Sequence, residues 1–406
     1  MIFAPNTSLN EELLQLGTVN LFRRASQLKP TIYIKGYKET VIGIGQSKVY
    51  EVEKGLRVFD PAQAEEFDAV LKKQLEREHF FAAAIPFDPR SPFEIVIPEL
   101  AVIISDKGQV SISCRSFSEP AALAILEAII ALRSEPITST TLSLAQTELE
   151  TSSQFMSRVS DALKIISSGE MNKIVLSKAM RLIGEKLPDA GEVLARFTQD
   201  RPETYLFSIA DFVGASPELV VHKASNRFLS RPLAGTAASS DVGTLMTSHK
   251  DNEEHSIVLR QILNRLAEIK VSASAQLHPT IASYREIVHL GSWITGSQNY
   301  TPPFTGLELA ARISPTAAIN GDPFDSALDY ILSFEPLARG FYGGLVGYQK
   351  QTGDGSWILN IRSVHLASDR MTVQAGVGVV DRSTPEGENS EATAKINSIL
   401  SSLIDI

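Results

Sequence analysis

The sequence predicts an α+β protein dominated by antiparallel sheet, and three observations carry that prediction. Strand-like runs follow one another across turn signals, so hairpin-linked strands outnumber strand–helix–strand units. The helix-period segments fall between groups of strands. The chain is also large enough for a substantial core, with 406 residues and 43% hydrophobic content, and its 21% of charged residues argues against wholesale disorder.

In chain order, strands are expected at Thr31–Ile34, Val41–Ile44, Phe93–Ile97, Ala101–Ile104 and Val110–Cys114, followed by a helix at Ala121–Arg133. Ser134–Thr151, rich in Ser and Thr, reads as a connector. The chain therefore divides into an N-terminal part, 1–147, and a second region, 148–406. A helix at Gln154–Ser167 leads to strands at Lys173–Ser177, Tyr205–Ile209, Leu219–His222 and Arg227–Ser230. Asp251–Ile269 has the period of a long amphipathic helix, with Leu259, Ile262, Leu263 and Leu266 as its buried stripe. Strands return at Trp357–Ile361, Ser363–Leu366 and Met371–Val380. A closing helix, Glu388–Leu403, turns Ala392, Ile396, Ile399, Leu400 and Leu403 inward.

Charge and cysteine content narrow the chemistry. A net charge of −9 and a pI near 5.4 argue against a nucleic-acid or anionic-membrane partner, and mean that an anionic substrate needs local positive groups. The single cysteine, Cys114, permits no intramolecular disulfide and fits a reducing cytoplasm. The N-terminal residues lack a basic region followed by an apolar run, so no signal peptide is expected. Ala121–Leu132, the longest apolar stretch, contains Glu127 and is too short to span a bilayer.

Six short motifs punctuate the last two thirds: KIVLSK (Lys173–Lys178), GASPE (Gly214–Glu218), RPLAGT (Arg231–Thr236), KDNEEH (Lys250–His255), GFYGGLVG (Gly340–Gly347) and EGENSEATAK (Glu386–Lys395). A lysine, several carboxylates and glycine-rich turns in this order point to an acid/base enzyme whose acidic substrate needs a divalent metal. Lys173 opens a strand, shares a face with Val175 and Ser177, and becomes a plausible base if desolvated. A rigid Ser216-Pro217 turn can aim Glu218 into a cleft, and a tight turn at Gly235–Thr236 can offer backbone N–H groups to a carboxylate.

Asp251 and Glu254 share one helix face, as do Glu388, Glu391 and Lys395, and carboxylate oxygens suit Mg²⁺. Arg362, expected in a strand, can bind a carboxylate with two hydrogen bonds beside Tyr342. Gly376 and Gly378 weaken a strand in a way that allows a ligand to approach closely. Taken singly, each motif also reads as an ordinary strand end, turn or helix-start acid; the order is what carries the case. The seven histidines show no zinc spacing.

In that order the motifs resemble the chorismate-utilising enzymes: isochorismate synthases, salicylate synthases, and the synthase subunits for anthranilate and aminodeoxychorismate. The resemblance covers Gln154 to Leu403. It implies two stacked, mainly antiparallel-sheet subdomains with flanking helices around a deep central cleft. It also implies that Lys173 activates water for attack on ring C2 and that Glu218 protonates the departing C4 hydroxyl. Glu254 and Glu391 match the Mg²⁺ carboxylates, with Asp251 and Glu388 as helpers acting nearby or through water. The metal would hold the ring carboxylate of chorismate, assisted by Lys395 and the Gly235–Thr236 turn. Tyr342, Arg362 and the Gly376 backbone match the group that holds the enolpyruvyl carboxylate, and His289 matches a cleft histidine.

Further positions sort the members of this family. Amination enzymes usually carry glutamine where Lys173 stands, and the aminodeoxychorismate branch has a lysine where Ala234 stands. Salicylate synthases carry threonine at the place of Ala318. The resemblance therefore implies Mg²⁺-dependent isomerisation of chorismate to isochorismate, with salicylate synthesis by further loss of pyruvate as the alternative. Ser314, in place of a usual histidine, and Ala237 are departures from the pattern. Such a product feeds siderophore, salicylate or menaquinone biosynthesis. The expected protein is a cytoplasmic monomer or weak homodimer with a small-molecule substrate.

Overall fold

Alternating apolar strands that must bury both faces stack as layers, and the computed structural model shows how. It describes residues 1–60, 69–134, 144–284, 287–299 and 303–404. Part of the expected connector, 135–143, lies outside the described residues. Among the described residues twelve strands form one sheet, nine a second and three a small third. Every described pairing is antiparallel. The α+β, mainly antiparallel architecture is thus as expected.

Period-two alternation divides the large sheet between two cores. Ile32, Ile34, Val41, Ile103 and Phe207 pack with Phe81, Ile85, Ile95, Val346 and Ile358 of the second sheet. Tyr33, Ile42, Val102, Leu206 and Val213 point the other way, onto Leu13, Phe22, Leu126, Val193, Phe197, Ile396 and Ile399 of the covering helices. Both sheets take strands from either side of residue 147: Phe207 pairs with Ile34 in the first, and Leu345 with Ile85 in the second.

The expected elements are present with shifted ends, and four details differ. Gly214 lies inside the strand Phe212–Ser216, not in a turn. A Cβ there would come within 2.2 Å of the Phe207 ring, its cross-strand partner, so glycine is required by packing. Gly235 sits in the strand Leu233–Ala238 at φ +80°, where the pairing with Ile287–Gly291 shifts register. The expected tight turn is therefore a β-bulge, with glycine taking the left-handed position.

The strand before Arg362 ends at Leu359, and Arg362 itself has φ 54°, outside the sheet conformation. Finally, the buried face of helix His249–Glu268 comprises Glu254, His255, Ile257, Val258, Ile262 and Leu266, whereas Leu259 and Leu263 are only half buried. A stripe drawn through apolar residues alone is turned away from this face, because its first part is polar and finds partners inside.

Candidate active site

Lys173 begins the strand Lys173–Ile183, which runs between Met371–Val379 on one side and Gly321–Asp322 on the other. Its side chain is fully buried, with Nζ 2.9 Å from Glu254 Oε1. This is an ion pair by distance, but its angles fall short of a hydrogen bond, so the nitrogen keeps bonding capacity for another partner. The pair fits only because residue 378 is glycine: a Cβ there would lie 2.2 Å from Glu254 Oε1 and 3.0 Å from Lys173 Cε. Gly376, two residues earlier on the same face, leaves room for Val175 and the Tyr342 hydroxyl.

Glu218 follows the strand Phe212–Ser216 through Pro217 and points into the cleft that Glu254, Tyr342, Arg362 and Lys395 also line. Burial pushes its carboxyl up to about 8, against opposing help from the Leu233 N–H and from Lys173 and Lys395. Glu218 therefore keeps its proton at neutral pH. Glu218 lines the cleft, and Lys173 lies buried just behind its lining residues Glu254 and Gly378, which gives an acid candidate and a base candidate.

The candidate anion-binding groups form a connected network. Arg362 donates from Nη2 to His289 Nε2 (3.0 Å) and from Nη1 to Ser398 Oγ (2.9 Å), and stacks on the Tyr284 ring at 4.7 Å. A guanidinium can only donate, so His289 Nε2 is the acceptor and the ring proton resides on Nδ1. Nδ1 faces Thr236 Oγ1 at 3.1 Å and the Gly235 carbonyl at 3.3 Å. Burial, then the charges of Arg362 and Lys395, hold His289 well below its usual range, which keeps it neutral. Tyr342 is buried and pushed up to about 12, with its hydroxyl near the Gly376 backbone. Lys395 donates to the Gly376 carbonyl (3.0 Å) and pairs with Glu391 (2.6 Å).

The four candidate metal ligands come from two helices, His249–Glu268 and Pro385–Leu400. Glu254 is held by Lys173, Glu391 by Lys395, and Glu388 by Lys250 at 2.6 Å. Asp251 accepts from the Thr236 N–H at 3.3 Å, so that N–H serves the protein itself. Among the described residues no three acidic, histidine or cysteine side chains converge as a ready metal cage. The donor chemistry nevertheless fits a hard divalent cation. Glu388 keeps one buried oxygen, Oε2, without a partner, and burial with the nearby Glu391 charge pushes its carboxyl up to about 7. A cation there would relieve both.

The structure brings the predicted residues into one region, and nine of them line a single cleft: Glu218, Gly235, Thr236, Glu254, His289, Tyr342, Arg362, Gly376 and Lys395. Ala318 lines it as well. Ser314 does not; it borders a separate cavity beside Arg265 and Arg312, so its replacement of histidine leaves the cleft's lining untouched. Sequence reasoning missed the clamp on the Lys173 strand. Arg339 donates to the carbonyls of Val175 (2.8 Å) and Ile319 (2.7 Å), and pairs with Glu335, which accepts from the Ser177 N–H (2.7 Å). Its only signal was its place just before GFYGGLVG. Lys250 was visible as the first residue of KDNEEH but carried no role.

Comparison with known proteins supports the same direction. A family model described as chorismate binding enzyme matches residues 6–404. Isochorismate synthase EntC of Escherichia coli K12 is 30% identical over 346 residues, covering 81% of this chain and 82% of that protein. Isochorismate synthase DhbC of Bacillus subtilis is 34% identical over 262 residues, covering 60% of this chain and 65% of that one. Among solved structures, MenF, the menaquinone-specific isochorismate synthase of E. coli, superposes with a TM-score of 0.76 at 24% identity, over 94% of this chain and 91% of its own. Anthranilate synthase component I of Streptococcus pneumoniae gives 0.70 at 19% identity, over 89% and 92%. At these identities the superpositions speak for the fold alone.

Proposed function

Since this chain belongs to the chorismate-binding enzyme family, we propose that it is an isochorismate synthase. The observation that carries the reading is one cleft that is lined by protonated Glu218 and by carboxylate-binding groups, and by Glu254, which holds buried Lys173 behind it. Lys173 acts as the base that takes a proton from water, whose oxygen bonds to ring C2. The ring double bonds shift, the C4–O bond breaks, and Glu218 delivers its proton so that the C4 hydroxyl departs as water. Lys173 and Glu218 then return to their starting states by exchange with solvent.

Arg362, Tyr342 and the Gly376 backbone are suited to the enolpyruvyl carboxylate, with neutral His289 fixing the guanidinium. Glu254, Glu391, Glu388 and Asp251 would hold Mg²⁺, and the ion when bound would neutralise the ring carboxylate. Ala318 in the cleft favours release of isochorismate over salicylate formation. No helix among the described residues is long and apolar enough to cross a membrane. The buried, free Cys114 suits the cytoplasmic placement we propose.

Turnover of chorismate in ¹⁸O-labelled water tests the chemistry. The reading expects one labelled oxygen in the product, at C2. Isochorismate formed without solvent label would rule out water as the nucleophile.

A further inference from the structure

The cleft contains a buried donor to which the mechanism above gives no role. Gln374 lies in the strand Met371–Val379 and alternates with Gly376 and Gly378, so the three share the face turned to the cleft. Its side chain is largely buried, at 7% exposed, and its Nε2 has no hydrogen-bond partner. An orphaned buried N–H donor is unfavourable and marks a place where a ligand acceptor belongs.

Position says which acceptor. Along this strand Gly378 borders Lys173 and Glu254, where the reaction occurs, and Gly376 borders Tyr342. Gln374 is the next inward position beyond them. The neighbouring strand Ser363–Leu366 pairs Val364 with Val373. One step further in that antiparallel register sets Ser363, the residue after Arg362, against Gln374. Gln374 therefore lies on the side of Gly376 away from the lysine, in the cleft that Arg362 and Tyr342 also line.

We propose that the Gln374 carboxamide donates a hydrogen bond to the enolpyruvyl carboxylate of the substrate, as a further donor beside Arg362, Tyr342 and the Gly376 backbone. This rests on the isochorismate synthase reading. Arg362 supplies charge, whereas the amide supplies direction, because its N–H leaves a rigid strand and reaches only an oxygen placed on that side. Gln374 is then a specificity-determining residue: it binds the side-chain carboxylate and takes no part in proton transfer.

Steady-state kinetics of Gln374→Met and Gln374→Glu with chorismate, beside the wild type, test this. Methionine keeps the volume and removes the donor, so KM should rise about 10- to 100-fold with kcat within a few-fold of wild type. Glutamate adds a like charge beside the substrate carboxylate and should raise KM further than methionine does. Thermal unfolding of both variants close to wild type would separate lost binding from lost folding. Wild-type turnover with KM unchanged in both variants overturns this assignment alone, as does a loss confined to kcat. If either variant is unstable, Gln374→Leu and direct calorimetric titration of chorismate replace it, with the same expected loss of affinity. A wild type that neither binds nor converts chorismate overturns the functional reading and this assignment together.

Discussion

Adding one methyl group at position 378 should disable the site while leaving the fold in place. In Gly378→Ala the new Cβ would stand 2.2 Å from Glu254 Oε1, 2.9 Å from its Cδ and 3.0 Å from Lys173 Cε. Non-bonded heavy atoms settle nearer about 3.5 Å, so the Glu254 carboxylate must retreat by roughly 1 Å and pull on its partner Lys173. Displacement of that size at a reacting group lowers turnover by about 10²-fold. The stability loss should lie at the low end of the roughly 1–3 kcal/mol typical of overpacking, because the crowded atom ends a flexible side chain. The assay is kcat/KM for chorismate together with thermal unfolding. Gly243→Ala, with nothing within 4 Å of the added Cβ, is the control and should leave activity unchanged. Wild-type kcat/KM in Gly378→Ala would refute the claim that the Lys173–Glu254 geometry matters.

Four further outcomes are expected. Glu218 must be protonated to act as an acid, and its carboxyl is raised to about 8, so turnover should fall as pH rises through about 8; a profile flat to about pH 9.5 would contradict this. The same shift makes Glu218's contribution to stability fully present below its unfolded value of 4.5 and lost as pH rises through about 8, and Glu218→Gln should flatten that dependence in denaturant titrations. Lys173→Ala should lose about 10²- to 10⁴-fold in kcat, measured by product formation, and near-wild-type turnover would remove the proposed base. Arg339→Met strands buried Glu335 and should cost about 3–5 kcal/mol in chemical denaturation; a change under about 1 kcal/mol would show that the clamp on the Lys173 strand is dispensable.

Strands whose apolar residues alternate under burial on one or both faces were legible, as Tyr205–Ile209 and Val110–Cys114 show by matching their expected bounds. Phe212–Ser216 was not, because its small residues, Gly214, Ala215 and Ser216, mimic a turn. The hairpin that leads into it turns on Ala210 and Asp211, both at positive φ, a role that Asn-Gly pairs announce and Ala-Asp does not. The candidate site was legible as a list of residues in order, but its pairing was not. That Lys173 meets Glu254, that Lys250 meets Glu388 and that Arg362 meets His289 depends on strands and helices far apart in sequence. Nor could periodicity distinguish Gly378, a glycine demanded by a carboxylate, from Gly214, demanded by a phenylalanine.

The central claim is tested most directly by chromatographic identification of what the purified protein makes from chorismate, with Mg²⁺ present and after chelation. The account predicts isochorismate with Mg²⁺, a large loss of turnover without it, and neither salicylate nor pyruvate. Stoichiometric salicylate and pyruvate, or no consumption of chorismate at all, would contradict it.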